Sequence, residues 1–246
     1  METLHLFKPR EFSLNVINLI VFIFSISVVA VAEMYTADVY VDNFVKYTCR
    51  GNFTEDGQFA TKTNTFYTQD GKALITEDVI FQLKTFQPVD ISITNRQTGR
   101  LEKVTRTKEG YRLQYRENNQ SEIKEKTVRQ DGIVLHGSYV PIFIAENMDK
   151  IRNGAIIRFQ LLVVDRLTSY EFQVYRHGLK NLNGQQYIEV SLEPTSWFVK
   201  QFVAPIFFEY ALSNNTQIAR YRGTIAPRTA DGKAQTGEII FHFPVQ

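Results

Sequence analysis

Beyond residue 32 the chain carries three histidines, His136, His177 and His242, and a single cysteine, Cys49. These are the side chains that could serve as a general base, a nucleophile or a metal ligand. His242 sits in "FHF", where strand alternation sets it opposite Phe241 and Phe243, and no second histidine, cysteine or acid lies near it at metal-ligand spacing. His136-Gly137-Ser138 brings a base close to a hydroxyl, but the G-x-S-x-G elbow that presents a nucleophilic serine is missing. Glu77-Asp78, Asp165 and Glu189 could act in pairs only if the fold brings two carboxylates across one cleft. Phosphate-binding glycine motifs are absent as well. The sequence therefore assigns no catalytic residue, no metal ligand and no cofactor. A hydrolase assembled from these acids and histidines stays open as a third-ranked reading.

Apolar surface is the stronger lead. The run "SWFVKQFVAPIFFEYAL" is apolar on both faces for part of its length, and Trp197, Phe198, Phe202, Phe207 and Phe208 are the candidate lining of a ligand cavity. The alternative is a core strand covered on both sides. "AIIRFQLLVVD", residues 155–165, is a second run of this kind.

The elements that would position such a wall read as strands. Apolar residues recur at period two in "VDISIT", "YRLQYR", "YEFQV", "IEVSLE" and "EIIFHF", the spacing that sends alternate side chains to one sheet face. Turn pairs lie between the runs: Asp70-Gly71, Glu109-Gly110, Asn118-Asn119, Asp131-Gly132, Asn183-Gly184, Asn214-Asn215 and Asp231-Gly232. One segment departs from the pattern. In "PIFIAENMDKIRNG", Pro141 suits a first helical turn, Ile144, Met148 and Ile151 fall on one stripe, and Asn153-Gly154 is a stop signal, so a short helix should cross or cover a sheet face. The expected fold is all-β with one short helix. About ten antiparallel strands form a curved meander that closes, or partly closes, into a barrel to manage its edges.

No charge occurs from Phe12 to Ala32, and Ala30-Val31-Ala32 places small residues where a signal peptidase reads them. Residues 1–32 are expected to be a signal peptide, with a retained anchor as the alternative, and residues 33–246 one exported domain, periplasmic or secreted. With cleavage, no stable membrane span remains. One cysteine excludes an internal disulfide. A net charge of +2, with acids and bases interspersed, provides neither a basic stripe for nucleic acid nor a polybasic tract for anionic lipid.

The order of elements, a signal, a β meander, a helix ending at "IRNGAIIRFQL", then the aromatic strands "YEFQVYR" and "FFEYAL", resembles uncharacterised families of exported bacterial β-proteins. More remotely, the inferred architecture is similar to that of LolA- and LolB-type lipoprotein carriers, whose curved sheet and helical lid hold acyl chains. That resemblance implies a non-enzymatic protein binding a lipid or other apolar small molecule inside its sheet. The rival reading is a cell-envelope module that binds another protein through a sheet edge or an aromatic patch.

Overall fold

A computed structural model describes residues 33–129, 131–182 and 184–244. The expected signal peptide, residues 1–32, lies outside them. Among the described residues fifteen strands form a single sheet. Its first half runs through β1 (Glu33–Val41), β2 (Phe44–Asp56), β3 (Phe59–Thr68), β4 (Ala73–Gln82), β5 (Pro88–Asn95), β6 (Leu101–Thr107), β7 (Gly110–Arg116) and β8 (Lys124–Val128). The second half comprises β9 (Val134–His136), β10 (Ile157–Val163), β11 (Thr168–Leu182), β12 (Gln185–Pro194), β13 (Ile206–Ala211), β14 (Asn214–Arg228) and β15 (Ala234–His242).

The order in space explains how the chain builds a curl. Strands β1 and β15 pair at the centre of the sheet, β2 to β8 step outward on one side, and β14 back to β9 step outward on the other. Neighbours are antiparallel except β9 and β10, which run parallel and are joined by a helical crossover. The curl brings the two halves face to face without closing the ladder: β8 touches β11, and β9 touches β5, with no strand pairing between them. The result is a partly open barrel, as the sequence implied, with more and longer strands than its clearest alternating runs marked out.

Turn chemistry fixes the register. Between β1 and β2, Asp42 and Asn43 both adopt positive φ, 53° and 66°, the geometry of a two-residue hairpin turn whose twist matches that of its strands. Asp70-Gly71, Glu109-Gly110 and Asp231-Gly232 likewise join consecutive strands. Asp131-Gly132 serves differently, because the strands on either side of it lie at opposite edges of the sheet.

The crossover occupies the concave side. A short 3-10 turn, Gly137–Tyr139, leads into α1 (Val140–Glu146) and α2 (Met148–Arg152). The expected single helix is broken at Asn147, whose side-chain amide donates to the Phe143 carbonyl at 3.0 Å. The predicted stripe survives the break: Ile144, Met148 and Ile151 are all buried. Tyr139 stacks on Phe81 of β4 at 4.4 Å and donates its hydroxyl to the Phe86 carbonyl at 3.0 Å. Tyr210 of β13 donates to the Pro141 carbonyl at 2.7 Å. The helix is thus tied to both halves of the sheet, and Phe143 wedges between Phe86 and Phe159 at ring separations of 5.3 and 5.5 Å. Among the described residues no helix is long and apolar enough to cross a membrane.

Candidate functional site

Strand register decides which side chains face the hollow. Along the first half, Tyr35 and Cys49 share the concave face with Lys62, Asn64, Glu77, Ile93 and Glu102, because each stands opposite its neighbour or two residues along the same strand. Between this face and the crossover lie two adjoining cavities of about 400 and 950 Å³ that share Tyr35, Lys62, Pro141, Ile218 and Phe241. Both fall within the roughly 300–1,000 Å³ typical of small-molecule sites. The larger lies toward the connection between β4 and β5, beside Phe53, Phe86 and Phe143. The smaller reaches the opposite rim, where Leu161 to Val164, Leu192 and Phe208 form an apolar wall.

Where the cavities meet, a polar chain crosses the apolar lining. The Tyr35 hydroxyl donates to Asn64 Oδ1 at 2.5 Å, and Asn64 Nδ2 donates to Glu77 Oε2 at 2.9 Å. Gly51 makes room for this arrangement, since a Cβ there would overlap the Tyr35 ring. Lys62 Nζ donates to the Ser138 carbonyl at the start of the crossover. Burial suppresses ionisation throughout this cluster: it raises Glu77, lowers Lys62, and pushes the Cys49 thiol up to about 12. His136 is pushed down to about 4, by burial first and by the nearby Lys62 second. The middle of the hollow therefore favours neutral groups.

The rim of the smaller cavity has a different character. Arg100 holds Glu102 through Nε at 2.8 Å, donates Nη1 to the Tyr115 hydroxyl at 3.0 Å, and lies 3.5 Å from Asp165. Asp165 belongs to the 3-10 turn between β10 and β11, so this ion pair spans the open seam of the barrel. Arg228, at the end of β14, lines the same rim.

The structure does not gather the five aromatics expected to form the lining. Phe208 is buried and borders the smaller cavity. Phe207, its neighbour in β13, points to the convex face, where Arg222 lies over its ring at 5.2 Å. Trp197 and Phe198 belong to a four-residue helix, α3 (Trp197–Lys200), followed by Phe202, and these three are 74%, 64% and 75% exposed. Pro205 and the lack of period-two alternation explain why residues 195–205 leave the sheet instead of extending β13. The second apolar run does line the hollow, through Leu161 to Val164.

The candidate catalytic groups are also dispersed. His136 is buried beside the crossover and its Nδ1 accepts from the Ser138 amide at 3.3 Å. On the convex face His177 lies 3.7 Å from Glu189, and His242 is 3.0 Å from Asp38. Glu189 and Glu209 stand opposite each other in register on that face, both buried, and both are paired with Lys180 and Arg222. Paired carboxylates held by cations in this way form a structural ion network on the sheet's outer surface. Among the described residues no group of three or more His, Cys, Asp or Glu is placed to hold a metal ion.

Lys62, Asn64, Asn95, Arg100 and Arg228 belong to no motif that marks them in the sequence as site residues. A signal for the first two exists in "FATKTNTFYT", where polar residues occupy the positions that period two turns inward. Arg100 and Arg228 sit at strand ends, where charged residues ordinarily mark solvated turns.

No family model matches the chain, and no curated protein matches it. Among solved structures it is similar to a β-barrel-like protein of the domain of unknown function DUF1849 from Brucella abortus, with 8% sequence identity and a TM-score of 0.49, over 87% of this chain and 98% of that one. The neighbour's description is that of an uncharacterised β-protein, the class the sequence resembled, and it offers nothing for a likeness to LolA- and LolB-type carriers.

Proposed function

We propose that this protein is an exported, non-enzymatic binding protein that holds an apolar, lipid-like molecule between its concave sheet face and the crossover helix. The observation that carries this reading is the pair of adjoining cavities, lined largely by apolar side chains, with a junction where burial disfavours charge on Lys62, Glu77 and His136. Such a space has few ways to bind a highly charged metabolite and many to hold an alkyl chain. Export of residues 33–246 after removal of residues 1–32 is part of the same proposal.

The test is uptake of a fluorescent fatty-acid probe by the purified protein, compared with an Ile218→Trp variant. Ile218 borders both cavities, so the larger side chain should block probe uptake while circular dichroism and the thermal transition show a retained fold. Failure of the wild-type protein to take up the probe would overturn the proposal.

A second reading rests on a separate observation. Trp197, Phe198 and Phe202 present an exposed aromatic cluster, with Phe198 and Phe202 edge to face at 5.3 Å, on the connection between β12 and β13. In this reading the protein is an envelope interaction module, and a triple serine variant at these positions would abolish cross-linking to a protein partner while leaving probe uptake intact.

A further inference from the structure

Of the four buried side-chain polar atoms without a hydrogen-bond partner among the described residues, one belongs to a residue that lines either cavity: Nδ2 of Asn95. Asn95 closes β5 on the concave face, opposite Ile75, and is 4% exposed. Its orientation is fixed, because Oδ1 accepts from the amides of Gln97 and Thr98 at 2.9 and 3.1 Å. Flipping the side chain would set an NH₂ group against two N–H donors, so the unmatched atom is a donor. A buried donor without an acceptor destabilises the fold, which makes it a feature requiring an explanation.

Arg228 lines the same cavity and lacks a carboxylate partner among the described residues. Among the described residues its one side-chain hydrogen bond is a long one from Nη1 to the Gly232 carbonyl, 3.3 Å, and no carboxylate lies within ion-pair distance. Glu102 and Asp165 are close enough to act on it electrostatically, yet both are drawn toward Arg100. Burial and the like charge of Arg100 outweigh those two carboxylates, and the guanidinium of Arg228 is held below its ordinary pKa. A half-buried cation without a carboxylate partner and a buried amide donor without an acceptor thus belong to two residues that line one cavity.

We infer that the rim end of the smaller cavity is a head-group site, in which Arg228 and Asn95 bind the anionic oxygens of a carboxylate or phosphate whose alkyl tail lies along Leu161, Leu162 and Phe208. The inference rests on the apolar-ligand reading and adds the ligand's class, an anionic amphiphile. The guanidinium fork suits either head, since both offer paired oxygens to parallel N–H donors. Entry is from the rim, because burial around Lys62 and Glu77 disfavours a charged head farther in.

The test is calorimetric titration of the full chain with dodecanoate, dodecyl phosphate and dodecanol, repeated on Arg228→Gln and Asn95→Asp. Asn95→Asp keeps the oxygen that accepts from Gln97 and Thr98 and replaces only the donor, so it decides the matter if Arg228→Gln fails to fold. Each variant should weaken binding of the anionic amphiphiles by roughly tenfold or more and leave dodecanol within about twofold. The tighter of the two anions then identifies the head group. Equal binding of all three ligands, with the variants making no distinction among them, would overturn the inference and leave the apolar-ligand reading standing. Binding of none of the three by the wild-type protein would overturn both.

Discussion

His136 supplies a prediction whose sign and size both follow from its position. The side chain is 6% exposed, Lys62 lies nearby, and its Nδ1 accepts the Ser138 amide, so the folded protein holds it neutral with a pKa of about 4, against 6.5 for a free histidine. Below pH 6.5 the unfolded chain binds a proton there that the folded chain refuses until about pH 4. The contribution of this group to stability is therefore complete above pH 6.5 and is lost as pH falls through that window. A displacement from 6.5 to about 4 corresponds to about 3 kcal/mol, at 1.36 kcal/mol for each pH unit. His136→Asn retains an oxygen able to accept from Ser138 and removes the titration. Glu77 is raised by burial and works in the opposite direction, gaining stability as pH falls, but it is common to both proteins and cancels in the comparison. Urea unfolding from pH 7 to pH 4 should show the wild type losing about 3 kcal/mol relative to the variant, whatever their offset at pH 7. Parallel stability curves across that range would refute the reasoning and mean that water reaches the imidazole.

Cys49, buried and held at about 12, should be labelled by a thiol reagent at pH 8 about a thousandfold more slowly in the native protein than in urea, and equal rates would show that the concave face is open at β2. Phe143→Ala removes the aromatic wedge between Phe86 and Phe159 and should cost about 3–5 kcal/mol in urea unfolding. A loss below about 1 kcal/mol would mean that the crossover is dispensable to the fold. Trp197 is the chain's single tryptophan, so its fluorescence reports on α3 alone. Its emission should be solvent-like, open to iodide quenching and unchanged when an amphiphile fills the cavity, whereas a ligand-induced blue shift would bring α3 into the site.

Much of the architecture was legible because strand period and turn chemistry are local properties. "YEFQV" and "IEVSLE" became β11 and β12 with Phe172, Val174, Ile188, Val190 and Leu192 buried, although Tyr170 is exposed and Glu189 and Ser191 on the other face are buried too, and the stripe through Ile144, Met148 and Ile151 was read correctly as a buried helical face. The break at Asn147 was not legible, because Asn147 falls off the buried stripe and its bond to the Phe143 carbonyl emerges only once the helix has formed. Strands β2 and β3 were obscured by their inward polar residues: Lys62 and Asn64 occupy the face where an apolar pattern would have announced a core. The aromatic run misled for a related reason. Composition placed Trp197 through Phe208 in one wall, but chain geometry at Pro205 divides it into an exposed turn and a strand, and the two residues side by side in β13 face opposite ways. The rim site could not be read from spacing, since Asn95 and Arg228 lie on strands brought together only by the curl of the whole sheet.

The most direct measurement is native mass spectrometry, followed by organic extraction, of the full chain expressed in a bacterial host and purified gently. An additional mass should be present that leaves on extraction and is identified as an alkyl-chain molecule with an anionic head. A clean mass of the protein alone, from material that also fails to take up an added fatty-acid probe, would contradict the proposed function.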